Sequence, residues 1–91
     1  MRRATKAQVA KAIAGYNDWR PRINARLSKI DRKGAKIIAE WADDVCGRIN
    51  AADLSICTSS LIRSVERAIE DFETGYYTGV THHGGFIVRT A

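Results

Sequence analysis

Between residues 31 and 73 the sequence carries two apolar rows at helical spacing. Ala35, Ile38, Ala39, Ala42, Val45, Cys46 and Ile49 form the first, and Leu61, Ile62, Val65, Ala68, Ile69 and Phe72 the second. Recurrence at three and four residues returns a side chain to one face of a helix, so each row predicts an amphipathic helix that must bury that face. Asp31 is placed to cap the first, which would run to about Ile49 and span about 27 Å at 1.5 Å per residue. Gly34 weakens its first turn, and Trp41 lies at the edge of its stripe. Gly75 is placed to end the second helix as its C′ residue. These two helices are expected to form the centre of the core.

Weaker patterns flank them. Val9, Ala12, Ile13 and Tyr16 predict a short helix after a Thr5 cap, with Gly15 near its stop. Asp18 then offers a fresh N-cap, with Pro21 in the first turn of a second helix carrying Ile23, Leu27 and Ile30. The stretch "NAADLSICTSS" breaks the periodicity and predicts a connection, with a Ser or Thr capping the helix that follows it. At the end of the chain, "YYTGV" and "FIVRTA" are aromatic and β-branched runs separated by "THHGG", which predicts a hairpin over about residues 76–91. Two strands alone are marginal in water, so this hairpin must lie on the helices or pair with a partner chain. The expected fold is mainly α: a compact bundle of three to four helices with a C-terminal β-hairpin, in one domain covering residues 1–91.

The 91 residues are 45% hydrophobic and 27% charged, the balance of an ordered globular chain. No apolar run approaches the roughly 18 residues of a membrane span. "MRRATKAQVAKAIAG" is interrupted by Lys6, Gln8 and Lys11 and lacks the apolar segment of a secretory signal, so a cytoplasmic location is expected. Cys46 lies on an apolar helical face and Cys57 just before a helix start. Reduced, buried thiols are the expected state of both, with a disulfide the less favoured alternative.

No arrangement of residues announces catalysis. Cys46 and Cys57 are eleven apart, and the adjacent His82 and His83 cannot easily converge on one ion, which argues against a zinc site and leaves the histidines as exposed turn residues. Ser and Thr in "CTSS" have no nucleophile elbow or neighbouring His and are explained by helix capping. Glu66, Glu70, Asp71 and Glu73 fall on the polar face of an amphipathic helix. Phosphate-loop, dinucleotide and HExxH motifs are absent. No metal, cofactor or small-molecule substrate is expected, and the chain is not expected to be an enzyme.

Charge is the remaining pointer. Residues 1–36 hold eleven Lys or Arg against two acids, a balance of +9, and residues 37–91 hold four against eight, a balance of −4. Such asymmetry points to an anionic partner for the basic half, or to a basic face balanced within the folded chain. Arg22, Arg26, Lys29 and Lys33 are spaced by four, three and four, so a continuing helix would line them along one ridge beside Ile23, Leu27 and Ile30. Arg20 and Arg32 flank that ridge, Arg2, Arg3 and Lys6 would add a flexible arm, and Trp19 at the helix entrance would either stack on a base or join the core.

The stretch "QVAKAIAGYNDWRPRINARLSKI" opens as a helix-turn-helix does, with Gly15 at the turn. It then places Trp19, Arg20 and Pro21 where a recognition helix needs an apolar anchor and a free leading end, so that motif is not expected. A chain without a catalytic site acts by occupancy: it coats, recruits or blocks. The expected function is a non-enzymatic binding protein whose basic half docks on nucleic acid or on the acidic surface of a nucleic-acid-handling protein. Its expected binding residues are Trp19, Arg20, Arg22, Arg26, Lys29, Arg32 and Lys33. Blockers of this size are common among phage and mobile-element products, inhibitors of host defence of the anti-CRISPR type among them; that is a property of the size class and not of these residues. The rival expectation is an assembly subunit, a homo-oligomer joined through the hairpin and through complementary basic and acidic helices.

Overall fold

The computed structural model describes residues 3–90. Three helices, α1 (Lys6–Leu27), α2 (Arg32–Asn50) and α3 (Ile56–Glu73), are followed by two antiparallel strands, β1 (Tyr77–Val80) and β2 (Phe86–Val88). No helix among the described residues is long and apolar enough to cross a membrane.

The number of helices is three, because the break expected between Gly15 and Asp18 does not occur. α1 runs through Gly15, Asp18 and Pro21 as one helix of 22 residues, about 33 Å long. A proline inside a helix costs about 3 kcal/mol, since it removes the N–H that would reach back to residue 17 and crowds the preceding turn. Pro21 and Asn17 are both exposed, so the freed Asn17 carbonyl faces water. Ile23 and Leu27, both buried, hold the second half of the helix in place and offset the loss. Asp18 does not cap anything: its carboxylate accepts from Arg22 Nη2 at 2.8 Å. The cap at the other end is as expected. Thr5 Oγ1 accepts from the Gln8 N–H at 3.2 Å, and Gln8 Oε1 accepts from the Thr5 N–H at 2.9 Å, a reciprocal capping box.

α2 sits between α1 and α3 and supplies Ile38, Ala42, Val45 and Ile49 to the interior. With Val65, Ala68 and Ile69 of α3 and Ile23 and Leu27 of α1, these residues make the core. Asp31 caps α2 by accepting from the Gly34 N–H at 2.9 Å. α3 begins at Ile56, with Ser55 in extended backbone at the N-cap position but making no side-chain cap hydrogen bond, so a serine stands at the cap as expected while Thr58, Ser59 and Ser60 lie inside the helix. Thr58 is buried, and its hydroxyl donates to the Asp53 carbonyl at 3.1 Å, which ties the connection to the helix. Gly75, at φ +82°, closes α3 in the left-handed conformation expected of it.

The first turns of the α3 stripe are less covered than their spacing implies. Leu61 and Ile62 are half-buried, because the contacts that tie α1 to α3, Trp19 to Glu66 and Arg26 to Glu73, lie beyond them towards the C-terminal ends of the two helices. An open cleft of about 390 Å³, bounded by Tyr16, Trp19, Val45, Ile49, Leu54 and Ile62, remains towards the other end. The thiols also differ from expectation. Cys46 is half-buried and Cys57 is exposed in the first turn of α3, and both are free.

The hairpin lies on the helices. Tyr77 pairs with Val88 and Val80 with Phe86, with a bulge between Tyr77 and Gly79. Gly84, at φ +86°, turns the connection, and His82 and His83 are exposed there. Phe86 contacts Trp41, Phe72 and Tyr77 at ring-centroid separations of 5.6, 5.2 and 4.9 Å. Phe72 comes so close to α2 that a Cβ on Gly34 would lie 2.7 and 3.0 Å from two of its ring carbons. The aromatic run thus fastens the strands to α2 and α3.

Candidate functional site

The ridge of basic residues is divided by the turn between α1 and α2. Ser28 ends α1, its N–H donating to the Asn24 carbonyl at 3.1 Å and its hydroxyl to the Ala25 carbonyl at 2.6 Å. The chain then turns through Lys29–Asp31, so Arg22 and Arg26 belong to one helix and Lys33 to the next. Helical spacing across residues 22–33 therefore does not make one ridge.

Ionic partners within the fold engage the three arginines of α1. Arg20, whose side chain is 19% exposed, donates through Nη1 to Asp43 Oδ1 and to the Tyr16 hydroxyl, both at 2.7 Å, and through Nε to Asn24 Oδ1 at 2.9 Å. Arg26 forms two parallel hydrogen bonds to Glu73. This contact draws the Glu73 carboxyl below its ordinary range through those bonds, with Lys29 adding to the field. Arg22 pairs with Asp18 one turn away on the open face of α1. Trp19 is half-buried against the core, its Nε1 donating to Glu66 Oε2 at 3.4 Å. It braces α1 against α3 and does not stand free at a helix entrance.

Lys29, Arg32 and Lys33 remain. All three are exposed and none forms an ion pair among the described residues. Lys36, which was not among the expected binding residues, joins them: it is exposed and stands four residues from Arg32 and three from Lys33 on α2. That spacing is visible in the sequence once α2 is known to start at Arg32. The first turn of α2 holds no acidic residue, although the positive end of the helix dipole favours one. The α1–α2 corner therefore gathers four cations at a helix N-terminus, opposed there by the Asp31 cap and, for Lys29, by the field of Glu73.

The N-terminal arm is not free as expected. The Ala4 N–H donates to the Ala52 carbonyl at 3.3 Å, Lys6 begins α1, and Arg2 lies outside the described residues. Among the described residues no group of three or more His, Cys, Asp or Glu is placed to hold a metal ion. Compared with known proteins, the chain matches no family model, no curated protein and no solved structure.

Proposed function

We propose that the protein is a non-enzymatic binding protein that acts by occupancy and docks its α1–α2 corner on the phosphates of nucleic acid. One observation carries this reading: Lys29, Arg32, Lys33 and Lys36 are exposed cations without an ion-pair partner at the positive end of α2. Folding alone disfavours that arrangement, since a cation in the first turn of a helix costs about 0.3–1 kcal/mol and like charges add their own repulsion. A polyanion reverses the sign of both terms. Arg20 and Arg26 contribute by bracing the corner from behind, through Asp43 and Glu73.

The test is a fluorescence-anisotropy titration with labelled DNA and RNA over a range of salt. Four phosphate contacts correspond to a slope of log affinity on log salt of about −3 to −4, with dissociation constants of about 10⁻⁴ to 10⁻⁶ M. Replacing Lys29 and Lys33 together by Glu should remove at least two units of that slope. Salt-independent binding, or none, would overturn the reading and leave an acidic protein surface as the partner for the corner.

The hairpin supports a second reading, assembly with copies of the same chain. On β2, Ile87 and Val88 are 42% and 45% exposed, next to a strand edge that no element of the sheet covers. Light scattering across concentration separates this reading from the first. A closed oligomer that an Ile87→Lys variant dissolves would sustain it, and a monomer at every concentration would end it.

A further inference from the structure

We propose that the groove between α3 and the hairpin receives an unpaired nucleobase together with its phosphate. The groove has a volume of about 430 Å³, within the range of small-ligand sites, and lies in the half of the chain that carries net negative charge. Trp41, Tyr77 and Phe86 line it on one side, and Arg63, Arg67 and Asp71 on the other. The three aromatic residues are half-buried, so each is held by the fold while part of it stays open to a ligand.

Two polar groups on the lining residues, like the Tyr76 hydroxyl outside the groove, have no hydrogen-bond partner among the described residues. Trp19 donates its indole N–H to Glu66 and Tyr16 its hydroxyl to the Ala42 carbonyl, but Trp41 Nε1 and the Tyr77 hydroxyl bond to no other described residue. No buried side-chain polar atom is left unpaired among the described residues, so both of these groups reach solvent. Arg63 forms no ion pair among the described residues, whereas Arg67 is 76% exposed and is steered by Asp71, its Nε lying 3.4 Å from Oδ1. Asp71, 15% exposed, pairs with Arg67 through one oxygen; its other oxygen has no hydrogen-bond partner among the described residues and is assigned to accept from an N–H on the edge of a base.

An aromatic wall beside arginines is the chemistry of single-stranded nucleic-acid sites: the ring takes a base face, and the guanidinium takes the phosphate or stacks as a cation. A free nucleotide presents the same groups. A strand is the favoured source, because Lys33, Ile37 and Trp41 follow one another at four-residue steps on α2. Lys33 in the cationic corner thus lies about 12 Å along the helix from Trp41, close enough for one strand to reach both. The choice of a strand rests on the nucleic-acid reading above; the groove rests on different residues.

The two are separated in a Trp19→Phe variant, in which Trp41 is the only tryptophan. Its emission is followed during titration with a single-stranded DNA of about 10 nucleotides, with the matching duplex, and with adenosine monophosphate, while anisotropy reports binding of the two DNAs. The expected result is quenching by the single strand, weaker quenching by the nucleotide and none by the duplex. Charge reversal at Arg63 and Arg67, both exposed on α3, should weaken the quenching about tenfold while thermal melts show the fold intact. Equal quenching by strand and nucleotide at equal concentration would support the groove and assign it to the free nucleotide. Single-strand binding with Trp41 emission unchanged would overturn the groove and leave the corner standing. Quenching that persists when Lys29 and Lys33 are replaced by Glu, with no duplex binding by the parent, would sustain the groove and overturn the corner. Absence of binding by all three probes would overturn both.

Discussion

Arg26 holds Glu73 through two parallel hydrogen bonds, Nε to Oε2 at 3.0 Å and Nη2 to Oε1 at 2.6 Å, and so joins the end of α1 to the end of α3. Both side chains are 38% exposed, so solvent screens the pair and Arg26→Ala should cost about 1 kcal/mol or less at neutral pH. The hydrogen bonds from Arg26 set the folded pKa of Glu73 below its unfolded one. Their contribution is therefore complete above the unfolded value, about 4.3, and is lost as pH falls through the folded one. Thermal melts of wild type and Arg26→Ala should differ at pH 7 and converge as pH falls through the lowered folded pKa of Glu73; a constant gap would show that Glu73 does not carry the effect.

The contact of Phe72 with Gly34 leaves no room for a methyl group. Phe72 is a rigid ring packed against Tyr77 and Phe86, so it cannot yield without displacing the hairpin. Gly34→Ala, which in an open helix would stabilise, should here destabilise by about 1–3 kcal/mol. In a domain of this size each kcal/mol lowers Tm by about 4–8 °C, a shift that calorimetry resolves.

Pro21 offers the opposite case. Its position is exposed and the carbonyl of Asn17 lacks its helical partner, so Pro21→Ala restores a hydrogen bond without a clash. The helix gains about 3 kcal/mol, and the unfolded chain recovers about 0.4–1 kcal/mol of conformational freedom. A net stabilisation of about 2 kcal/mol is expected in denaturant titrations. No gain would mean that the proline already costs little where it sits.

The two thiols should separate kinetically. Cys57 is exposed in the first turn of α3, and Cys46 is half-buried on α2 with the Asn50 amide 3.5 Å from its sulfur. A neutral thiol reagent should label Cys57 first, with the second equivalent following more slowly. Mass spectrometry after limited labelling identifies the modified residue, and preferential labelling of Cys46 would contradict the packing of α2.

Periodicity and end chemistry fail differently as guides to this fold. The rows on α2 and α3, the Asp31 cap, the Gly75 stop and the hairpin around Gly84 are local properties: a face, a cap or a positive φ is set by residues within one or two turns of each other. The continuity of α1 is not local. Gly15, Asp18 and Pro21 all favour a break, and the burial of Ile23 and Leu27 against α2 and α3 outweighs them. The basic tract behaves likewise. Arg26 and Glu73 are 47 residues apart in sequence, and Arg20 and Asp43 are 23 apart, so which arginines are neutralised depends on how the helices pack. The sequence by itself determined α2, α3, the hairpin and the charge imbalance between the halves, because each follows from neighbouring side chains and composition, while the single length of α1 did not. Only the tertiary structure decided which cations remain unpaired and that Trp41 meets Arg63 and Arg67 across a groove, because opposite charges and aromatic rings distant in the chain meet only when the core brings their helices together.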